Sequence, residues 1–228
     1  MSQSFSDFLK SQYSFALPIF NSSLEDYQSI DLSKTNKNLW NQVNPSDPLE
    51  MQKYISNYLE KKGKNIAFGG YLEHRNIYDR SAYFKEKENR FIHLGIDFWT
   101  NENAGIAAVF DGTIHSFKNN KNFSDYGPTL ILEHNAKGFT WFSLYGHLSL
   151  DSMLYWQIGK TIASGERIGY LGAISENGNY APHLHFQIML NMEGKSGDYP
   201  GVTSEKEVHH FQNNCPNPLY LFPELMKM

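Results

Sequence analysis

Phe91-Ile92-His93-Leu94-Gly95-Ile96-Asp97-Phe98 alternates, residue by residue, between large apolar side chains and side chains that are either metal-competent or absent. Read with the period of a β-strand, it sends His93, Gly95 and Asp97 to one face and Ile92, Leu94, Ile96 and Phe98 to the other. Gly95 leaves space between the two candidate ligands. Pro182-His183-Leu184-His185-Phe186-Gln187-Ile188 repeats the pattern, with His183, His185 and Gln187 on one face and Leu184, Phe186 and Ile188 turned into a core. The two stretches together predict a zinc site built on strands.

Working outward, residues 65–190 are a series of short β-like runs punctuated by glycine: Ile66–Tyr71, Ile106–Phe110, Thr113–Phe117, Thr129–Glu133, Thr140–Tyr145 and Ile168–Gly172. Asp111-Gly112, between two of them, is a strong hairpin signal. No helical period intervenes, so an antiparallel β-architecture is expected rather than an α/β sheet. Residues 1–63 differ in texture and close on a well-marked helix. Asp47-Pro48-Leu49-Glu50 supplies an N-cap, a proline in the first turn and a glutamate three after the cap. Met51, Tyr54, Ile55, Tyr58 and Leu59 follow at helical spacing, and Gly63 stands at the exit. The expected organisation is an N-terminal helical extension over 1–63, a catalytic domain over 64–200 and a loop-rich tail over 201–228.

Composition narrows the functions available. Twenty basic against 24 acidic residues, a formal charge of -4, leave no broad electropositive surface for nucleic acid. The single cysteine, Cys215, excludes an intramolecular disulfide and reads as structural. The first ten residues lack the basic and apolar regions of a signal peptide, and no run approaches the roughly 20 apolar residues of a membrane span. The expectation is therefore a cytoplasmic protein, with a removed signal or another export route as the alternative.

Catalytic zinc uses three protein ligands of nitrogen, sulfur or carboxylate type and keeps its fourth position for water. Two histidines and Asp97 meet that count, and the residues alone leave open which of His183 and His185 binds the metal. The surplus histidine, with His147 in Leu144-Tyr145-Gly146-His147-Leu148-Ser149, is a candidate for acid-base work, which histidine performs near neutral pH. Tyr145, two before His147, is a candidate hydrogen-bond donor to an oxyanion, with a core tyrosine as the competing reading. Arg90 is a candidate for a substrate carboxylate, with an exposed strand-edge arginine as its alternative. His74, His115, His134, His209 and His210 have no such partners in the sequence.

His-x-Gly-x-Asp, Tyr-Gly-His-Leu-Ser, Gly-Glu-x-Ile-Gly-Tyr-Leu-Gly and Pro-His-Leu-His-Phe, in this order from about Gly69 to Ile188, resemble the lysostaphin/LytM-type zinc metallopeptidases. The resemblance implies a β-rich fold, a hybrid of sheet and barrel-like sandwich with a groove over the zinc. It makes His93, Asp97 and His185 the zinc ligands and His147 and His183 the paired catalytic histidines. The implied activity is hydrolysis of peptide bonds in peptidoglycan, and in this family a segment preceding the catalytic domain can cover the groove. Gly69-Gly70-Tyr71-Leu72-Glu73-x-Arg75-x-x-Tyr78, Asp125-Tyr126-Gly127-Pro128 and Asp198-Tyr199-Pro200-Gly201-Val202 are more similar to a branch joined to phosphotransferase and aminotransferase domains. The rival readings are a non-catalytic binding module of the same fold and a cytoplasmic hydrolase of a small peptide or amide.

Overall fold

Strand β11 (His183–Met189) lies inside an eight-stranded sheet, with β4 (Ile96–Trp99) on one side and β8 (Phe139–Gly146) on the other. Beyond β4 come β2 (Ile66–Gly69) and β1 (Tyr27–Ser29); beyond β8 come β7 (Gly127–Ala136), β6 (Gly112–Asn120) and β9 (Thr161–Ile162). The computed structural model describes residues 4–11, 16–44, 47–75 and 91–228. The expected mainly-β class is what the chain adopts, as an open sheet rather than a closed barrel. Two short pairs stand apart from it: β3 (Ile92–His93) with β12 (Val202–Thr203), and β5 (Gly105–Ala107) with β10 (Arg167–Tyr170).

The sheet separates two environments. Leu184, Phe186 and Ile188 of β11, Ile96 and Phe98 of β4, Phe68 of β2 and Tyr145 of β8 enter one fully buried core. Each such side chain removed from water contributes about 1.5–3 kcal/mol. The opposite face of the same strands carries Asp97, Trp99, His183, His185 and Gln187, as the alternation requires.

Three expectations about the strands need correction. The sheet is mixed, because β1 runs parallel to β2; parallel neighbours need a long crossover, which residues 30–65 with α3 (Pro48–Lys62) provide. Asp111-Gly112 is not a hairpin turn: β5 pairs with β10 and β6 with β7 and β9, while Asp111 Oδ1 accepts the Ser164 amide at 2.7 Å. The tight hairpin is instead Lys137-Gly138 between β7 and β8, where both residues have positive φ (49° and 84°). His93 to Phe98 is not one strand. The chain leaves the β3/β12 pair and enters the main sheet between His93 and Ile96, so Leu94 packs with Tyr126, Ile131 and Leu144 on the side opposite Ile96 and Phe98.

The helix α3 forms as its sequence specifies. Asp47 Oδ1 accepts from the Leu49 and Glu50 amides, Gly63 closes it at φ 63°, and Met51, Ile55 and Leu59 are buried. Glu50 does not complete a capping box; its Oε2 accepts the Asn44 amide at 2.7 Å. The flanks are integral to the fold. Phe8 and Leu9 of α1 (Phe5–Lys10) and Leu221, Phe222 and Leu225 join the main core. Residues of the C-terminal stretch also supply β12 and α4 (Val208–Asn214), so it is structured rather than a loop-rich tail. No helix of the described residues is long and apolar enough to cross a membrane.

Candidate metal centre

Asp97 and His185 stand directly opposite one another in the β4–β11 ladder, and Trp99 faces His183 two residues along it. His93 arrives from β3, its main chain held on two sides: its amide donates to Glu73 O at 3.0 Å, and the next amide, of Leu94, donates to Gly201 O at 2.8 Å. The outcome is a buried triangle. His93 Nε2 lies 2.9 Å from His185 Nδ1, His185 Nδ1 lies 3.1 Å from Asp97 Oδ1, and His93 Nε2 lies 3.3 Å from the same oxygen. Glycine at position 95 is a steric requirement, since a Cβ there would sit 2.7 Å from both the His185 ring and Phe186 O.

The outer bonds of the two rings decide what faces the centre. His93 Nδ1 is 2.9 Å from Gly70 O, which can only accept, so Nδ1 carries the hydrogen and Nε2 presents its lone pair. His185 Nε2 is 2.9 Å from Gln187 Oε1, whose orientation is fixed by Gln187 Nε2 donating to Pro200 O at 3.1 Å; His185 Nδ1 is therefore the inward acceptor. Two ring lone pairs and a carboxylate oxygen converge, and one proton cannot serve three acceptors at these distances. A cation can. Zinc bound at about 2.0–2.1 Å to each atom would hold tetrahedral donors about 3.3 Å apart, close to the spacing found. Among the described residues this is the group of histidine, cysteine and acidic side chains able to hold a metal ion.

Electrostatics favour the same state. Burial lowers the His93 pKa to about 4, with the Asp97 charge acting the other way, so the ring is neutral as a metal ligand must be. Burial acts to raise the Asp97 carboxyl, but the His93 ring and the Arg75 guanidinium beside it hold it well below the usual carboxylate range.

Two further histidines adjoin the triangle. The His147 and His183 ring centroids are 4.2 Å apart, and His183 Nε2 is 3.9 Å from Asp97 Oδ2. His147 Nδ1 donates to Asn177 O at 2.7 Å and His183 Nδ1 to Ala181 O at 2.8 Å, which leaves Nε2 of each ring as the proton-accepting atom. Burial is the leading cause that lowers both pKa values. His147 lies just past the end of β8 at φ 63°, a left-handed conformation uncommon outside glycine. Trp99 stacks on His183 at 5.7 Å, and Tyr180 flanks both rings.

Of the sequence candidates, His93, Asp97, His147, His183 and His185 are thus brought together. Tyr145 is not. Because the left-handed turn at His147 breaks the strand period, Tyr145 points to the opposite face, is fully buried in the core, and accepts the Val109 amide on its hydroxyl at 2.9 Å. That placement takes its hydroxyl out of reach of an oxyanion at the site. Arg90 lies outside the described residues. The tyrosine that does reach the site is Tyr126, whose ring is 5.0 Å from that of His185. The arginine is Arg75, which binds Asp97 Oδ2. Neither follows from strand period, because both sit on irregular segments.

The triangle opens into a cavity of about 520 Å³. Leu32, Trp40 and Met51, all from the first 63 residues, line it together with the five site residues.

Fold and site define a mainly-β domain with a buried His-Asp-His centre at the floor of a groove. Residues 91–197 match the family model described as peptidase family M23. It is 30% identical to endolysin 2638A of Staphylococcus phage 2638A over 65% of this chain and 32% of the relative. It is 31% identical to the glycyl-glycine endopeptidase ALE-1 of Staphylococcus capitis, over 43% of this chain and 25% of the relative. The chain thus spans about a third or less of the length of these relatives. Among solved structures, the catalytic domain of lysostaphin from Staphylococcus simulans aligns at 21% identity with a TM-score of 0.41, covering 71% of this chain and 97% of that one.

Proposed function

We propose that this domain is a zinc-dependent endopeptidase that hydrolyses peptide bonds in peptidoglycan peptides, with His93, Asp97 and His185 holding the metal. The single observation that carries this reading is the convergence of three acceptor atoms beside a pair of histidines oriented by main-chain carbonyls. Zinc in such a site supplies Lewis-acid polarisation of a scissile carbonyl and acidification of water.

The chain's own residues do the rest. With Nδ1 committed to Asn177 O, His147 can accept a proton from water at Nε2 and return it to the departing amine nitrogen as the C–N bond breaks. His183, tied at Nδ1 to Ala181 O and stacked on Trp99, is held in place to share that proton traffic and, when protonated, to stabilise negative charge on the carbonyl oxygen. The groove wall formed by Leu32, Trp40 and Met51 offers apolar contact to a substrate and limits water around the centre.

The test is turnover of purified cell wall, followed by release of new amino groups. Wild type should release them, and His147→Ala should lose about 10²–10⁴-fold in rate while keeping its zinc, the range expected for removing a positioned acid-base group. Equal turnover by the variant would contradict the assignment. Metal-dependent binding of wall fragments without turnover would favour the non-catalytic module.

A further inference from the structure

Arg75 is 4% exposed, and every direction of its guanidinium is used. Nη1 donates to Asp97 Oδ2, Nε to Glu73 Oε2, and Nη2 approaches Gly69 O at 3.4 Å, while Cζ lies 5.3 Å from the Trp99 ring. Glu73 in turn uses its second oxygen, Oε1, to accept the Leu32 amide at 3.0 Å. An unbroken chain of bonds therefore runs from the main chain of the N-terminal segment, through Glu73 and Arg75, to a residue of the triangle. The backbone makes room for it: Gly70 has φ 110°, and a Cβ there would lie 1.9 Å from Arg75 Nη2.

We propose that Arg75 is the positioning residue of the metal centre, holding Asp97 Oδ2 so that Oδ1 alone is turned toward His93 and His185. Through Glu73, the same side chain couples that orientation to the seating of residues around Leu32, which line the groove. Three features support this. The two Asp97 oxygens are divided between Arg75 and the triangle. The guanidinium fork meets two carboxylates at once, which the single ammonium of lysine cannot reproduce. The pair is buried, so that removing one partner leaves an uncompensated charge beside the metal ligands.

The inference rests on the zinc reading above, and the experiment separates the two. Zinc affinity of the full chain is measured by competition with a chelator for wild type, Arg75→Lys, Arg75→Met and Asp97→Asn, and for Arg75→Met combined with Asp97→Asn. Circular dichroism and thermal unfolding of the metal-free proteins identify the folded variants. Arg75→Met should weaken zinc about 10–100-fold, the effect typical of losing a residue that orients a ligand, with Arg75→Lys in between. In the Asp97→Asn background the same substitution should change affinity by no more than about two-fold, because its effect passes through Asp97. Should Arg75→Met fail to fold, the lysine variant carries the test, since it keeps the charge and loses the fork. Folded Arg75 variants that bind zinc like wild type, or losses that add fully to that of Asp97→Asn, would overturn the proposal. Absence of zinc binding by wild type would overturn the metal reading and this inference together.

Discussion

The two sides of the site are held in different ways. Asp97, His183 and His185 stand on a regular ladder, where each residue has a fixed partner across β4 and β11 and the side-chain direction follows from position alone. His147, Tyr126 and Arg75 stand on irregular backbone: a left-handed residue after β8, the segment leading into β7, and the strap after Gly70. The ladder places ligands with the rigidity of a sheet. The irregular segments place groups from outside the sheet plane, where a strand cannot reach. The directions of the Asp97, His183 and His185 side chains are thus properties of the sheet, whereas those of His147 and Arg75 depend on loops stabilised by a few specific bonds.

Two substitutions bear on the regular side. The larger effect is expected at Gly95, where an added methyl meets Phe186 O, which cannot move without disturbing the β11 ladder, and the His185 ring. Gly95→Ala should lower stability by about 1–3 kcal/mol, as overpacking of a close-packed site does, and should weaken zinc binding with it. Chemical denaturation with and without zinc checks both, and an unchanged zinc affinity would show that the ladder is not what holds the ligands apart. The narrower effect, on stability alone, is expected at Tyr145. Its hydroxyl accepts the buried Val109 amide, so Tyr145→Phe should cost about 1–3 kcal/mol of stability by leaving that donor unmet. Its kcat should stay at the wild-type value, because the side chain lies across the sheet from His93, Asp97 and His185. A fall in kcat at unchanged stability would restore the oxyanion role that its position denies.

The same division governs what could be read in advance. The faces of β11 and β4 and the helix α3 with its Asp47 cap and Gly63 exit are legible because each depends on a local period or cap, whereas the roles of the four histidines and Asp97 follow only from the family resemblance. Leu94 was misplaced because the chain changes sheets between His93 and Ile96, a tertiary event that leaves the alternation of residue types intact. Tyr145 was misplaced because one left-handed residue, His147, inverts the counting. Asp111-Gly112 carried hairpin residues, yet its flanking strands found partners elsewhere, β5 with β10 and β6 with β7. Arg75 and the parallel β1 edge depend on contacts between distant segments, Leu32 with Glu73 and Tyr27 with Ile66, for which no local pattern exists.

On the proposed reading, three acceptor atoms on β3, β4 and β11 share one zinc ion. The most direct measurement is the metal content of the purified chain beside that of His185→Ala, after equilibration with zinc and removal of the excess. One zinc per wild-type chain and none retained by the variant are expected. Zinc absent from wild type, or held equally by His185→Ala, would contradict it.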